Sequence, residues 1–195
     1  MRYRLNKEGL WDYLTQWNAF LKRKVHLIAC GGTALTLLDV KASTKDIDFM
    51  VPVLAEHSYL IKALKSLGYN RKGDHRWTKD GDPFVFDLFA GNKIHTTELL
   101  NSPLKPENHR QIKTYSYLYI GVLNDYDLIT SKLFRGAPVD FDDCRLLVKA
   151  HRATIDLDLL EKHFREHAKY EIAETRVLQN LGIFLKELNQ EKYHG

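Results

Sequence analysis

Residues 31–48 constrain this chain more than any other stretch, because they join a glycine pair to two closely spaced carboxylates. Gly31 and Gly32 follow an apolar run that predicts a buried strand, and they precede a run that predicts a helix. Asp46 and Asp48 belong to the next predicted strand, where alternation places both side chains on one face. A glycine turn and a pair of acids are therefore expected within one small region of the fold.

The length and composition fit one globular domain, or a domain with a small appendage. The chain has 195 residues, 44% of them hydrophobic, and no apolar run approaches the roughly 20 residues needed to cross a bilayer. The N-terminus lacks the apolar core of a secretory signal, and Cys30 and Cys144 are too few for a disulfide framework. We therefore expect a cytoplasmic protein without a membrane partner. A net charge of +4 permits contact with RNA but does not require it.

The order of elements predicts an α+β fold, with a mixed sheet flanked by helices and a C-terminal helical segment. Expected strands cover 25–30, 46–51, 75–79, 83–91 and 111–122, and expected helices cover 7–23, 33–40, 55–67, 127–134, 141–150, 157–164 and 177–188. We interpret residues 1–123 as the core, with residues 124–195 forming a helical region packed on it.

The glycine pair suits a phosphate group. Gly31 and Gly32 have no Cβ and allow close approach of a ligand to the backbone, and the first amides of the following helix can donate to it. Thr33 can add a hydroxyl. Glycines also join strands to helices in many proteins, so this pair taken alone leaves an ordinary structural role open.

The two acids suit a divalent cation. Two unit charges about 4 Å apart repel by roughly 4 kcal/mol at an effective dielectric near 20, so Asp46 and Asp48 need compensation if they are partly buried. Mg²⁺ or Mn²⁺ takes oxygen ligands, often one or two carboxylates together with substrate phosphates. The segment therefore predicts a metal site that works on a nucleoside triphosphate.

Asp87 is an isolated carboxylate within the otherwise apolar strand predicted at 83–91. If this strand lies beside that of Asp46 and Asp48, Asp87 becomes a third metal ligand and the candidate general base. The alternative is an aspartate on the solvent-exposed face of an antiparallel sheet.

The order of strand, "GGTAL", "TKDIDFMV" and "FVFDLF" resembles the DNA polymerase β-type nucleotidyltransferase superfamily over roughly residues 20–150. More narrowly, it is similar to the AbiEii-like and other minimal nucleotidyltransferase families of prokaryotes, several of which are toxins of toxin–antitoxin pairs. The resemblance implies transfer of a nucleoside monophosphate from a triphosphate to RNA, a protein or a small molecule, with an antitoxin protein as a further partner. It also implies that the triphosphate is held by Gly31, Gly32 and Thr33, and that the catalytic metal ligands are Asp46, Asp48 and Asp87.

The same families carry a lysine in the helix after the sheet and an aspartate soon after it. Lys132 and Asp140 occupy the matching places, and the resemblance implies that Lys132 neutralises nucleotide phosphate. Val139 departs from the pattern, because relatives often have a basic residue there. A solvated lysine on a helix surface is the alternative for Lys132.

Two alternatives compete with the transferase interpretation. The segment "HFREH" at 163–167 matches the H-x-x-E-H pattern of zinc peptidases, which also requires a third ligand and a cleft. A solvated, charged helix face explains the same letters. A non-catalytic regulatory or nucleic-acid-binding module on the same fold is the second alternative, and small-molecule adenylylation would differ from the main hypothesis only in its acceptor.

Overall fold

The computed structural model describes residues 3–194, with side chains as far as Gln190. The strands are β1 Val25–Ala29, β2 Asp46–Val51, β3 Tyr69–Arg71, β4 Arg76–Lys79, β5 Val85–Ala90, β6 Lys93–Ile94, β7 Thr97–Glu98, β8 His109–Thr114 and β9 Leu118–Leu123. The helices are α1 Lys7–Phe20, α2 Gly31–Leu37, α3 Leu54–Ser66, α4 Asp125–Arg135, α5 Pro138–Ala150, α6 Leu157–Ala168 and α7 Glu174–His194, with a 3₁₀ turn at Pro106–Asn108.

Seven of these strands form one mixed sheet in the order β3-β4-β5-β2-β1-β9-β8, and β6 with β7 forms a separate ribbon. Strand β1 pairs antiparallel with β2 and parallel with β9, while β2 pairs parallel with β5. Strands β4 and β5, which correspond to the expected strands 75–79 and 83–91, pair antiparallel as a hairpin. The prediction of an α+β fold with a mixed sheet and a C-terminal helical segment is confirmed.

The two faces of β5 have different surroundings. Phe86 is buried, and the rings of Tyr13 and Trp17 from α1 each lie with their centroids 5.1 Å from its ring centroid. Asp87 follows Phe86 along the strand and therefore points to the opposite face. Helix α1 thus packs on the aromatic face of β5, and the Asp87 carboxylate lies on the opposite face of the strand.

The short strands β3, β6 and β7 were not predicted, and several element boundaries differ from the sequence predictions. The run 111–122 is not one strand but a hairpin of β8 and β9, closed by a turn in which the amide of Tyr115 donates to the carbonyl of Leu118 at 2.7 Å. Helix α2 begins at Gly31, so the glycines form its first turn instead of preceding it. Helix α1 ends at Phe20, because the backbone is extended at the next residue.

Helix α4 connects the sheet to the C-terminal helices. It follows β9 directly, and the side chain of Asn124 caps it by accepting from the amide of Asp127 at 2.8 Å. It packs against α2, α5, α6 and α7. Among the helices of residues 3–194, none combines the length and apolarity that a membrane span requires. The division of the chain near residue 123 stays a prediction.

Candidate active site

The parallel pairing of β2 with β5 brings the three predicted carboxylates together. The register aligns Asp48 with Asp87, and Asp46 lies two residues earlier on β2, so all three share one face of the sheet. They line a cavity of about 400 Å³. Asp87 is only 2% exposed, which argues against the alternative of an aspartate on a wet sheet face.

Asp46 and Asp48 carry the least compensated charges in the cavity. The side-chain hydrogen bonds described at Asp46 are accepted by its backbone carbonyl, and among the side chains described, up to Gln190, neither carboxylate has a hydrogen-bond or ion-pair partner. Burial raises the pKa of Asp48 to about 7, and repulsion from Asp87 and Asp46 adds to the effect. A cation between these oxygens would remove the unfavourable interaction.

Asp87 has a partner that sequence reasoning missed. Arg76 of β4 lies opposite it in the hairpin register, and its guanidinium donates to both carboxylate oxygens at 3.2 and 3.3 Å. This hydrogen bonding raises the pKa of Arg76. The Arg76 side chain is 48% exposed, so the guanidinium sits where the buried Asp87 meets the open cavity. The sequence could indicate this pair only through the register of β4 against β5, and that register depends on the length of the turn between the two strands.

Gly31 is required by conformation and by space. Its φ is +56°, in the region that side chains disfavour, and a Cβ there would collide with Oδ2 of Asp48. At Gly32 a Cβ would lie 2.6 Å from Oγ1 of Thr44. The glycine pair therefore lets the start of α2 lie directly against the carboxylate strand.

The Thr33 side chain is placed differently from the sequence interpretation. It is fully buried, and its hydroxyl accepts from the amide of Asp48 at 2.8 Å and donates to the carbonyl of Asp46 at 3.2 Å. The hydroxyl that was expected to reach a triphosphate is thus occupied in joining α2 to β2. It positions the strand that carries the two acids.

Lys132 is not a solvated helix lysine. It is 2% exposed, and its Nζ donates to Asp143 at 2.8 Å and lies 3.8 Å from the nearer oxygen of Asp140. Lys41 also donates to Asp143, at 2.6 Å. Burial opposes the charge of Asp143, but the two lysines outweigh it and hold its pKa below the ordinary value. Lys132 therefore reaches the cavity as part of a buried ionic cluster.

Asp140 has a positioning role at the turn between α4 and α5. It is fully buried, accepts from Nε of Arg135 at 2.8 Å, pairs closely with the Nη2 of the same guanidinium, and accepts from the amide of Ala137 at 3.0 Å. Arg135 lines the cavity, whereas Asp140 does not. Val139, where relatives often have a basic residue, also lines the cavity and is 51% exposed.

The cavity lining has more basic than acidic residues. Six basic and four acidic side chains give a formal balance of +2, with histidine left out. The basic residues are Arg4, Lys41, Lys45, Arg76, Lys132 and Arg135, and the acidic ones are Asp46, Asp48, Asp87 and Asp143. The carboxylates can bind a cation, and the excess of basic groups can bind a polyanion. The cavity therefore suits a polyanion that binds together with a metal ion.

Replacement of Gly31 tests the close approach of α2 to Asp48. We expect Gly31→Ala to lower the free energy of unfolding by roughly 1–3 kcal/mol, because a side chain is strained at this φ and collides with the carboxylate. Gly182→Ala is the matched control, since a Cβ there meets nothing within 4 Å and alanine favours its helix by about 0.5–1 kcal/mol. Urea denaturation followed by circular dichroism measures both, and equal stability of the two variants would contradict the account.

Replacement of Asp48 tests whether its buried charge destabilises the folded protein. Because its folded pKa of about 7 lies above the ordinary value of 3.8, the folded state holds this proton more tightly, and stability is lost as pH rises between these values. In metal-free buffer, Asp48→Asn should therefore match wild type near pH 4 and become more stable by up to about 4 kcal/mol at pH 8. Asp80→Asn, in an exposed turn, is the control. If the difference in the free energy of unfolding between Asp48→Asn and wild type did not grow with pH, the charge of Asp48 would not be destabilising.

Comparisons with known proteins address the fold. The sequence matches no protein-family model and no curated protein sequence. The structure is similar to the crystal structure of ANT(2″)-Ia in complex with adenylyl-2″-tobramycin, with a TM-score of 0.52 and 12% identity over 74% of this chain and 88% of that chain. It is also similar to proposed nucleotidyltransferases from Thermotoga maritima (TM-score 0.48, 15% identity, 76% of this chain and 98% of that chain) and from H. pylori (0.48, 16%, 96% and 97%).

The similarity to ANT(2″)-Ia extends over most of both chains at low identity, so it concerns the course of the backbone and not the substrate. The chain has the mixed α+β fold of a nucleotidyltransferase.

Proposed function

We propose that this protein is a metal-dependent nucleotidyltransferase that moves a nucleoside monophosphate from a nucleoside triphosphate to an acceptor. The observation that carries the proposal is the group of three carboxylates on adjacent strands beside the glycine turn, two of which have no ionic partner among the described side chains. Without a cation this arrangement is unfavourable, as the raised pKa of Asp48 indicates. The nucleotidyltransferase fold supports the same reaction class.

The donor set fits Mg²⁺ or Mn²⁺. It consists of carboxylate oxygens, which these hard cations prefer, and it opens on a cavity where phosphate oxygens can complete the coordination. Asp46 and Asp48 would hold the ion, and Asp87 would join them once Arg76 releases it. A metal ion bound there would withdraw charge from the phosphates and activate the attacking hydroxyl.

The triphosphate would lie between the glycine turn and the basic side of the cavity. Amides in the first turn of a helix have no intrahelical partner, so those of Gly31, Gly32 and Thr33 can donate to phosphate oxygens. Lys132 and Lys41 are already paired with Asp143, so we propose that they set the local potential. The half-exposed Arg76 is the stronger candidate for direct contact with phosphate.

In the proposed reaction the acceptor hydroxyl oxygen forms a bond to the α-phosphorus. The bond from this phosphorus to the bridging oxygen breaks, and pyrophosphate leaves with the electron pair. Asp87 takes the hydroxyl proton as general base. It can do so when Arg76 turns to the phosphates, because a guanidinium pairs with phosphate in the same two-pronged geometry as with carboxylate.

RNA is the acceptor class that we favour, with protein and small molecules as alternative outcomes of the test. The net charge of +4 and the basic cavity lining suit a polyanionic acceptor. A neighbouring cavity of about 490 Å³ shares His95 with the carboxylate cavity and adds the rings of His57, His75 and Phe89. Such rings give a nucleoside base a surface to stack on.

The finer form of the proposal is a cytoplasmic toxin that an antitoxin protein neutralises. Its support is the likeness of "GGTAL" and "TKDID" to minimal nucleotidyltransferases. Induced expression should then arrest growth, and Asp46→Ala should restore it.

Label transfer tests the reaction directly. With Mg²⁺ or Mn²⁺ and total RNA, we expect label from α-³²P nucleotides to become attached to RNA, whereas γ-³²P label should be released as pyrophosphate. Asp46→Ala and Asp87→Asn should each lower the rate by about 100-fold or more, because they remove charge from the cation site. Asp80→Asn, in an exposed turn, should react like wild type.

Three results separate the alternatives. Transfer to protein, or to an aminoglycoside such as the one bound to ANT(2″)-Ia, would keep the reaction class and change the acceptor. Binding of nucleotide without transfer to any acceptor would favour the non-catalytic module. Equal transfer by wild type and Asp46→Ala would contradict the proposed site.

A further inference from the structure

A second group of metal-ligating side chains lies between α4 and α6. Asp127 comes from the first turn of α4, and His163 and His167 lie four residues apart on α6. One ligand atom from each of the three lies within 4.8 Å of the others. None of the three lines the cavity that contains Asp46 and Asp48, so this group is separate from the proposed active site.

The distances are close to those of a coordination sphere. Oδ1 of Asp127 lies 2.7 Å from Nε2 of His163 and 3.7 Å from Nε2 of His167. Ligand atoms around a tetrahedral zinc ion, each about 2.0–2.2 Å from the metal, are roughly 3.4 Å apart. The two distances lie on either side of this value, so small side-chain shifts, mainly of the half-buried His163, would accommodate an ion.

The hydrogen bonds of His167 leave its Nε2 available as a ligand. Its Nδ1 lies 3.0 Å from the carbonyl oxygen of His163, which only accepts, so Nδ1 carries the proton. In the neutral ring Nε2 is then an acceptor, and it takes a long hydrogen bond of 3.4 Å from the amide of Leu100. It nevertheless faces the Asp127 carboxylate, another acceptor. Oδ1 of Asp127 accepts from Nε2 of His163 at 2.7 Å, and a metal ion bound by the three side chains would take the place of that proton.

The surrounding hydrogen bonds orient these groups as ligands. A metal-binding imidazole usually donates its second N–H to a carbonyl or carboxylate, as His167 does here, and a ligating carboxylate is usually hydrogen-bonded itself. Oδ2 of Asp127 accepts from Nδ2 of Asn124 at 2.9 Å. Asp127 and His167 are 3% and 4% exposed, whereas the side chain of His163 is 30% exposed and leaves a path for a water molecule as fourth ligand.

We propose that Asp127, His163 and His167 bind a divalent transition-metal ion of the Zn²⁺ class, which joins α4 to α6. Two imidazoles with one carboxylate favour Zn²⁺ over Mg²⁺, so this ion differs in kind from that of the proposed active site. The ligands come from two packed helices, so the ion would link the first turn of α4 to α6.

Peptidase chemistry does not follow from the motif. Glu166, the acid of "HFREH", is exposed and accepts from Nζ of Lys169 at 2.7 Å, so it is directed away from the ligands. The solvated face expected for this segment describes Glu166 correctly, but not the buried His167. The third ligand that the sequence pattern lacked is Asp127, which lies 36 residues before His163 and reaches it only in the fold.

Zinc titration of the full chain tests the site. The protein is stripped with a chelator and kept in excess Mg²⁺, which occupies oxygen-ligand sites, and ZnCl₂ is added in a calorimeter. We expect one zinc ion per chain and, at about a hundredfold excess over Kd, a rise in Tm of about 5 °C or more. Co²⁺ used in place of Zn²⁺ should give the visible absorption of a four-coordinate site.

The variants are matched by their environment. His163→Ala and Asp127→Asn should each weaken zinc binding at least tenfold and abolish the Co²⁺ absorption. His151→Ala should bind like wild type, because His151 forms a comparable pair with Asp125 at 2.8 Å but has no second histidine. Circular dichroism without metal verifies that the variants fold. Absence of stoichiometric binding to wild type, or unchanged binding by His163→Ala and Asp127→Asn, would overturn the proposal. Neither result depends on nucleotidyl transfer.

Discussion

The alignment of Asp48 with Asp87 across two parallel strands is the electrostatic constraint on which the rest of the cavity depends. Carboxylates at facing positions repel, and burial strengthens the repulsion because little water is available to screen it. The chain relieves only half of this conflict: Arg76 neutralises Asp87, while Asp48 has no ionic partner in the part of the chain that the structure describes. We interpret the remaining negative potential as the source of affinity for a cation.

The elements around the acids keep this arrangement in place. Gly31 allows the first turn of α2 to approach Asp48, and the buried hydroxyl of Thr33 ties that helix to β2. The ionic cluster of Lys41, Lys132 and Asp143 joins the segment between α2 and β2 to α4 and α5, so these two helices line the same cavity as the three carboxylates of β2 and β5. Lys132 can be buried because acidic side chains compensate its charge. Removing one member of the cluster would leave an uncompensated buried charge.

Much of the fold follows from local patterns, whereas the completed site does not. Alternation in "DIDFMV" and the apolar run around Asp87 predict two strands, and the glycine pair predicts the turn beside them. The contacts of Arg76 with Asp87 and of Asp127 with His163 depend on hairpin register and on helix packing, which spacing along the chain does not encode. The hairpin of β8 and β9 was missed because its turn lacks the glycine or proline that marks most turns.

Manganese binding is the most direct test of the central claim that Asp46, Asp48 and Asp87 form one cation site. Mn²⁺ added to the nucleotide-free protein can be followed by electron paramagnetic resonance, which reports the free ion. The account predicts that Asp46→Asn and Asp48→Asn each weaken binding at least about tenfold, since each removes a charged ligand, while His163→Ala leaves this site unchanged. Equal Mn²⁺ affinity in wild type and in both aspartate variants would contradict it.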